Sequence, residues 1–107
     1  MKKENRNYMF SCIGASSSAH IVHEYQMEPY GRCDFLIRDK RTWHVVEVKR
    51  GTVPTSVVSQ IDKYRLCAEL EMSVWTHDEV KASVIAQDFS PYVRSELDRK
   101  STRLNSS

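Results

Sequence analysis

The chain has 107 residues and a mass of 12.5 kDa, which is enough for one small domain. Apolar residues make up 40% and charged residues 28%, and this composition excludes collagen-like, low-complexity and strongly disordered chains. No apolar run approaches the roughly 18 residues that a membrane span needs. The basic start, MKKENRNYMF, lacks the apolar segment of a secretory signal.

The charge balance is close to neutral. The chain carries 16 Lys and Arg against 14 Asp and Glu, a net charge of +2. Three of the bases fall within residues 99–107, which hold no acid, so residues 1–98 have a net charge of −1. Bulk charge therefore does not argue for nucleic-acid binding, and such a function must depend on a local site. The three widely spaced cysteines indicate a reducing compartment without a disulfide framework.

The segment 1–18 has no clear period. Asn5, Asn7 and the serines at 16–18 disfavour a strong helix, so we predict a short helix or strand followed by a turn. The pattern becomes clear after residue 18, where three stretches rich in β-forming residues predict three strands separated by a turn and a four-residue loop. The strands are 19–27, 32–38 and 43–50, and the loop is 39–42.

A helix and a fourth strand follow the hairpin. Pro54 precedes a segment in which Thr55 or Ser56 can cap a helix that runs to about Leu70 with one apolar face. Residues 80–86 predict a strand, and Ser90-Pro91 the start of a last helix. A helical crossover calls for a parallel strand pair, hence a mixed sheet. Since the second and third strands are apolar on both faces, we expect an α/β fold with helices on both sides of the sheet.

The last nine residues, RKSTRLNSS, are polar and show no apolar period. A frayed native terminus is one interpretation. We favour another, because KSTRLNSS resembles translated sequencing-adapter read-through. We therefore predict that 99–107 is a non-native tail, that 19–98 is the folded domain, and that the native protein continues beyond about Leu97, so that this chain is truncated.

Two acids are predicted to meet in the hairpin. If Arg38 faces Trp43 across the loop, paired positions sum to 81, and Asp34 then faces Glu47. Like charges placed so are destabilising, and a divalent cation such as Mg²⁺ is the natural compensation. Period-two alternation adds Lys49 to the same face. The alternative interpretation is an ordinary surface ion pair with Asp34 at a strand end.

The pattern Asp34…Glu47-x-Lys49 followed by Gln60-x-x-x-Tyr64 resembles the PD-(D/E)xK nuclease superfamily, most closely the nuclease domain of NucS-like endonucleases. The likeness covers roughly residues 30–97, and Asp…ExK alone is a weak motif. Its combination with Gln60 and Tyr64 and with the matching element order is fairly specific. The resemblance implies a restriction-endonuclease-like fold with a mixed central sheet flanked by helices.

The resemblance also implies roles for individual residues. Asp34, Glu47 and the Val48 carbonyl would ligate Mg²⁺ or Mn²⁺. Lys49 would orient or activate a water, with Gln60 at the rim of the site. The residues that would contact the nucleic acid are Arg32, Tyr64, Lys40 and Arg41, although a solvated turn is an alternative role for the last two.

One departure from the family pattern matters. The family places a Glu on a helix before the first strand, and here only Glu4 is available, in a poor helical context. The intact Asp34, Glu47 and Lys49 favour metal-dependent hydrolysis of DNA, which we expect. The missing Glu favours the alternative that we keep open, a non-catalytic nucleic-acid- or partner-binding domain with the same fold. A third interpretation is a purely structural α/β fragment. The DNA could be single-stranded, branched or mismatched, and further contacts could come from a homodimer or an additional domain. The resemblance implies a cytoplasmic protein of a prokaryote or phage.

Overall fold

A computed structural model describes residues 3–73, 76–100 and 102–106. The described elements are three α-helices and five strands, with a turn of π-helix, Glu69–Ser73, extending the second helix. In chain order they are α1 (Lys3–Ile13), β1 (His20–Met27), β2 (Gly31–Asp39), β3 (Thr42–Val48), α2 (Ser56–Ala68), β4 (Glu79–Ala86), α3 (Pro91–Arg99) and β5 (Arg103–Ser106).

The strands form one mixed sheet in the order β1-β2-β3-β4-β5. The first two pairings are antiparallel, and β3–β4 and β4–β5 are parallel. In the hairpin, Arg38 pairs with Trp43 and Phe35 with Val46, so the predicted register is confirmed. Since α2 connects two parallel neighbours, the predicted crossover and mixed sheet are confirmed as well.

Helices cover both faces of the sheet, as the apolar pattern of β2 and β3 predicts. On one face, α2 and α3 pack against Leu36 and Val45. On the other face, α1 packs against Ile37 and Val46. Val45 and Val46 are both fully buried, which explains why a central strand between two helical layers is apolar throughout. Glu47 follows them in β3 and is equally buried.

The N-terminal segment forms an 11-residue helix, α1, more regular than its sequence indicates. Its asparagines disfavour helix intrinsically, but Met9, Phe10 and Ile13 are buried against the sheet. Tertiary burial therefore outweighs the local propensity. Glu4 lies in the first turn of this helix, and its side chain is exposed.

Several predicted boundaries need correction. The loop between β2 and β3 is a two-residue turn at Lys40 and Arg41, because Asp39 still pairs with Thr42. Lys40 has φ 57°, the left-handed conformation that lets so short a turn close. The third strand ends at Val48, two residues before the predicted end. Helix α2 begins where predicted, but the side chain of Thr55 makes no capping hydrogen bond.

The last helix is capped as its sequence predicts. The side chain of Ser90 accepts a hydrogen bond from the Val93 amide, and Pro91 occupies the first turn. Beyond it, residues 103–106 add a fifth strand parallel to β4. That pairing does not decide whether residues 99–107 are native, so the interpretation of this segment as a non-native tail stays a prediction. Among the described residues, no helix has the length and apolarity to span a membrane.

Candidate active site

The ladder between β2 and β3 ends at the pair Phe35–Val46, one residue short of the two predicted acids. Beyond that point their side chains take over the hydrogen bonding. The Asp34 amide donates to Oε1 of Glu47 at 3.4 Å, and the Val48 amide donates to Oδ2 of Asp34 at 2.8 Å. On β3's other side, the Lys49 amide still donates to the Ile85 carbonyl of β4 at 2.9 Å. The carboxylates therefore lie where β3 stays paired with β4 but no longer with β2.

Glu47 is 1% exposed, and its electrostatics reflect that burial. Burial first, and then the neighbouring Asp34, raise the pKa of Glu47 to about 8 from an ordinary value of 4.5. Lys49 opposes this rise, since its Nζ lies 3.5 Å from Oε2 of Glu47. One half-buried cation does not offset the burial of Glu47 and the nearby second acid, so Glu47 favours a bound proton or a further positive charge.

The same two carboxylates affect a nearby thiol. Cys33 is fully buried beside Asp34. Burial, followed by the charges of Glu47 and Asp34, raises the pKa of Cys33 to about 12. The thiol therefore stays protonated and packs as a small apolar group, as predicted. All three cysteines are free in the structure.

Gln60 and Tyr64 meet on one face of α2, as their spacing predicts. Gln60 Nε2 donates to the Tyr64 hydroxyl at 3.0 Å, and that hydroxyl donates to the Arg32 carbonyl at 3.1 Å. Tyr64 is 2% exposed, and burial raises its pKa. Because the Arg32 carbonyl precedes Asp34 by two residues, this chain of hydrogen bonds fixes α2 against the start of β2, next to the carboxylates.

The close approach of α2 to β2 depends on Gly31. Its φ is +113°, which L side chains rarely adopt. A Cβ at this position would lie 3.2 Å from the Tyr64 hydroxyl. Glycine is therefore required twice, by the backbone conformation and by the space.

The three predicted basic contacts lie in two places. Arg32 is exposed, and its Nη1 lies 3.6 Å from Glu24 Oε2. A solvent-exposed pair of this kind is weak and can exchange for a phosphate. Lys40 and Arg41 occupy the turn at the opposite end of the hairpin, about 20 Å from Asp34 at roughly 3.3 Å per strand residue. There Arg41 pairs with Asp78 at 3.4 Å and donates to the Thr76 carbonyl at 2.7 Å.

The donor set fits a hard divalent cation. Two carboxylates with one uncompensated buried charge are what Mg²⁺ or Mn²⁺ takes, together with waters and phosphate oxygens. Among residues 3–73, 76–100 and 102–106, no group of three His, Cys, Asp or Glu side chains is placed to hold a metal. Glu47 lies two residues after Val45 in β3, so the two side chains share one face of the sheet. Helix α1 packs on the opposite face, so Glu4 supplies no third acid to the site.

The sequence did not predict a groove that lies on the outer side of Gln60 and Tyr64. A groove of about 430 Å³ is lined by Tyr30, Ser56, Ser59, Gln60, Lys63 and Tyr64. Tyr30 lies in the turn before β2, and Lys63 Nζ is 6.0 Å from the centroid of its ring. Helical spacing places residues 56, 59, 60 and 63 on one face of α2, but only the fold brings Tyr30 to them.

The fold has known counterparts, although no family model and no curated protein matches the chain. An EndoMS–dsDNA complex superimposes with a TM-score of 0.74 at 18% identity, covering 97% of this chain and 43% of the EndoMS chain. A repair endonuclease from Pyrococcus abyssi gives 0.69 at 19% identity, with 97% and 45% covered. EndoMS in its apo form gives 0.68 at 16% identity, with 100% and 46% covered.

At these identities the likeness establishes the fold. The predicted α/β architecture, a mixed central sheet flanked by helices, is thereby confirmed, and these solved structures share it. The chain spans less than half the length of each of these proteins.

Proposed function

We propose that this chain carries the catalytic site of a divalent-metal-dependent nuclease that hydrolyses DNA phosphodiester bonds. The observation that carries the proposal is the meeting of Asp34, buried Glu47 and Lys49 at the end of the β2–β3 ladder. The fold supports it, since similar structures include a repair endonuclease and a protein bound to dsDNA. DNA as substrate, Mg²⁺ or Mn²⁺ as cofactor and a cytoplasmic location are parts of this proposal.

Each residue then has a physical task. Asp34, Glu47 and the Val48 carbonyl would hold the cation, which when bound lowers the pKa of a water and stabilises charge on the phosphate. Ionised Glu47 accepts a hydrogen bond from the Asp34 amide, which fixes the direction of its carboxylate. Lys49 presents its ammonium beside Glu47, where it can orient a water and offset negative charge on the phosphate.

Gln60 and Tyr64 act at the rim. Their hydrogen bonds to each other and to the Arg32 carbonyl fix the spacing between α2 and the strand that carries Asp34. Arg32, once released from Glu24, can bind a phosphate next to the one that is cleaved. Positioning of this kind supplies a large share of catalysis in phosphoryl transfer.

Cleavage of plasmid and of labelled single-stranded DNA by the purified chain tests the proposal. Asp34→Asn and Glu47→Gln should each lower Mg²⁺-dependent cleavage at least 100-fold, because each removes a charged ligand without changing the shape of the side chain. Glu79→Gln is the matched control, since it removes the charge of an exposed glutamate at the other end of the sheet. Equal loss in all three variants, or none in the first two, would contradict the proposal.

A specific observation favours a second candidate, the non-catalytic domain. Within the described part of the chain, only two carboxylates meet at the site, and Glu4 belongs to α1, which packs on the other face of the sheet. If the wild-type chain folds and binds DNA but does not cleave it with either Mg²⁺ or Mn²⁺, the binding domain is the better account.

A further inference from the structure

The groove between the Tyr30 turn and α2 contains side chains that have no task in the proposed hydrolysis, namely Tyr30, Lys63 and two serines. Tyr30 presents its ring to solvent, with 46% of the residue exposed. The Tyr30 amide donates to the Met27 carbonyl at 2.6 Å, and Gly31 brings the turn against Tyr64, so the ring stands on an ordered support. Lys63 lies over one face of this ring, so a ligand would stack on the part of the ring that Lys63 leaves exposed.

The opposite wall of the groove supplies charge and hydroxyl groups. Lys63 lies with its ammonium 6.0 Å from the Tyr30 ring centroid, and it is exposed. Ser56 and Ser59 add two hydroxyls from the preceding turns of α2. A flat apolar face, one cation and two hydroxyls together suit a nucleotide, whose base stacks on the ring while its phosphate takes the cation and the hydroxyls.

The inner wall of the groove lies next to the strand that carries Asp34. Gln60 and Tyr64 form its inner wall, and the Tyr64 hydroxyl donates to the carbonyl of Arg32, two residues before Asp34. A strand whose phosphate lies at Asp34 and Glu47 therefore has its adjoining nucleotide beside this groove. The volume of about 430 Å³ lies in the range of pockets for small ligands, but the groove offers one exposed ring, enough for a single base.

We propose that this groove binds one unpaired nucleotide of the DNA strand next to the cleaved phosphate, with the base stacked on Tyr30 and its phosphate bound by Lys63. The inference rests on the proposed nuclease function and adds to it a nucleotide subsite formed by the Tyr30 turn and α2. A base within a duplex has both faces covered by its neighbours, so it cannot stack on Tyr30.

Binding measured without cleavage tests this subsite independently of catalysis. We would measure fluorescence anisotropy in EDTA with a labelled 15-nucleotide oligo(dT) and with a fully paired duplex of equal length. Tyr30→Ala should weaken binding of the single strand about tenfold and change duplex binding less than twofold, whereas Tyr30→Phe, which keeps the ring, should retain wild-type affinity. Lys63→Ala should reduce the salt slope of log Kd for the single strand by about 0.7, the value of one phosphate contact.

Tyr92→Ala is the matched control, since Tyr92 is an exposed tyrosine on α3 that does not line the groove. An unchanged affinity of Tyr30→Ala for the single strand, or equal losses for both DNAs, would overturn the subsite. Failure of the nuclease proposal has a different signature, because the wild-type chain would then bind oligo(dT) through Tyr30 without cutting it. If the wild-type chain binds neither DNA, the subsite is also overturned.

Discussion

The side chain of Asp34 replaces a backbone acceptor for Val48: its Oδ2 accepts a hydrogen bond from the Val48 amide at 2.8 Å, just beyond the last backbone pair of β2 and β3. The Val48 amide faces β2, since the next amide, that of Lys49, bonds to β4. The bond lies at an exposed position, where water can partly replace it, so its loss should cost about 1 kcal/mol or less. Asp34 therefore has a structural task as well as its proposed catalytic one.

The two tasks of Asp34 can be separated by substitution. Asp34→Asn keeps an oxygen that can accept the bond from Val48 but loses the charge, so we expect near-wild-type stability with cleavage and metal affinity lost. Asp34→Ala also removes the acceptor and should cost about 1 kcal/mol more, a fall in Tm of roughly 4–8 °C. Thermal unfolding by circular dichroism, with cleavage alongside, measures both. Equal Tm values for the two variants would show that the Val48 hydrogen bond contributes nothing.

The raised pKa of Glu47 makes the stability of the metal-free chain depend on pH. Because the folded-state pKa is about 8 and the ordinary value 4.5, the folded chain holds a proton that the unfolded chain releases between these values. The free energy of unfolding should therefore fall as pH rises from about 4.5 to about 8, relative to the Glu47→Gln variant, which lacks this titration. Tm values in EDTA from pH 5 to 9 measure the difference. A difference that stays constant with pH would contradict the raised pKa.

Removal of the Tyr64 hydroxyl should destabilise the fold more than removal of the hydroxyl of a tyrosine without such hydrogen bonds. Tyr64→Phe leaves Gln60 Nε2 and the Arg32 carbonyl without their shared partner. We expect a loss of about 1–2 kcal/mol in the free energy of unfolding and a several-fold lower cleavage rate, since the spacing between α2 and Asp34 is relaxed. Tyr92→Phe on α3 is the control for hydroxyl removal. Urea unfolding of both variants, with cleavage rates, gives the comparison, and indistinguishable values would contradict this role.

Alanine substitution at two glycines tests whether the close approach of α2 to β2 requires Gly31. Gly31→Ala must place a Cβ 3.2 Å from the Tyr64 hydroxyl at φ +113°, whereas Gly51→Ala, at φ +67°, meets no atom within 4 Å. We expect Gly31→Ala to lower the free energy of unfolding by at least about 1 kcal/mol more than Gly51→Ala. Urea unfolding of the two variants measures this difference. A larger loss in Gly51→Ala would contradict the packing described for Gly31.

The turn at the far end of the hairpin predicts a dependence on DNA length. Lys40 lies about 20 Å from Asp34, which is about six base pairs along a duplex at 3.4 Å each. Lys40→Ala should therefore weaken binding of a 20-base-pair duplex a few-fold and leave a three-nucleotide strand, which spans about 10 Å at this rise, unaffected. Anisotropy titrations with both lengths distinguish the predicted phosphate contact from a solvated turn, and equal affinities of wild type and variant on the long duplex would support the solvated turn.

The contacts that the sequence predicted best are those fixed by strand register or helical spacing. The hairpin register placed Asp34 opposite Glu47, and helical spacing placed Gln60 beside Tyr64; the structure shows these contacts. The end of the β2–β3 ladder at Phe35 could not be predicted, since it depends on how β3 is shared between two neighbours. Helix α1 was uncertain for a similar reason, because its stability comes from burial of Met9 and Phe10 against the sheet.

Polar contacts between residues far apart in the chain could not be predicted from the sequence either. Buried Asp78 accepts a hydrogen bond from Trp43 at 3.0 Å and pairs with Arg38 and Arg41, although it lies at least 35 residues away in the chain. The Asp39 carboxylate similarly accepts bonds from the backbone and side chain of Ser16, which lowers its pKa. Neither pairing follows from spacing, because both depend on the packing of segments that the sequence leaves far apart.

The proposed activity requires that Asp34 and Glu47 together bind a divalent cation. Calorimetric titration of the folded chain with Mn²⁺ at pH 8, where Glu47 is substantially ionised, tests it most directly. We predict one site per chain in the wild type, loss of that site in Asp34→Asn and Glu47→Gln, and an unchanged site in Glu79→Gln. A folded wild-type chain that binds no Mn²⁺, or a site that survives both substitutions, would contradict the account.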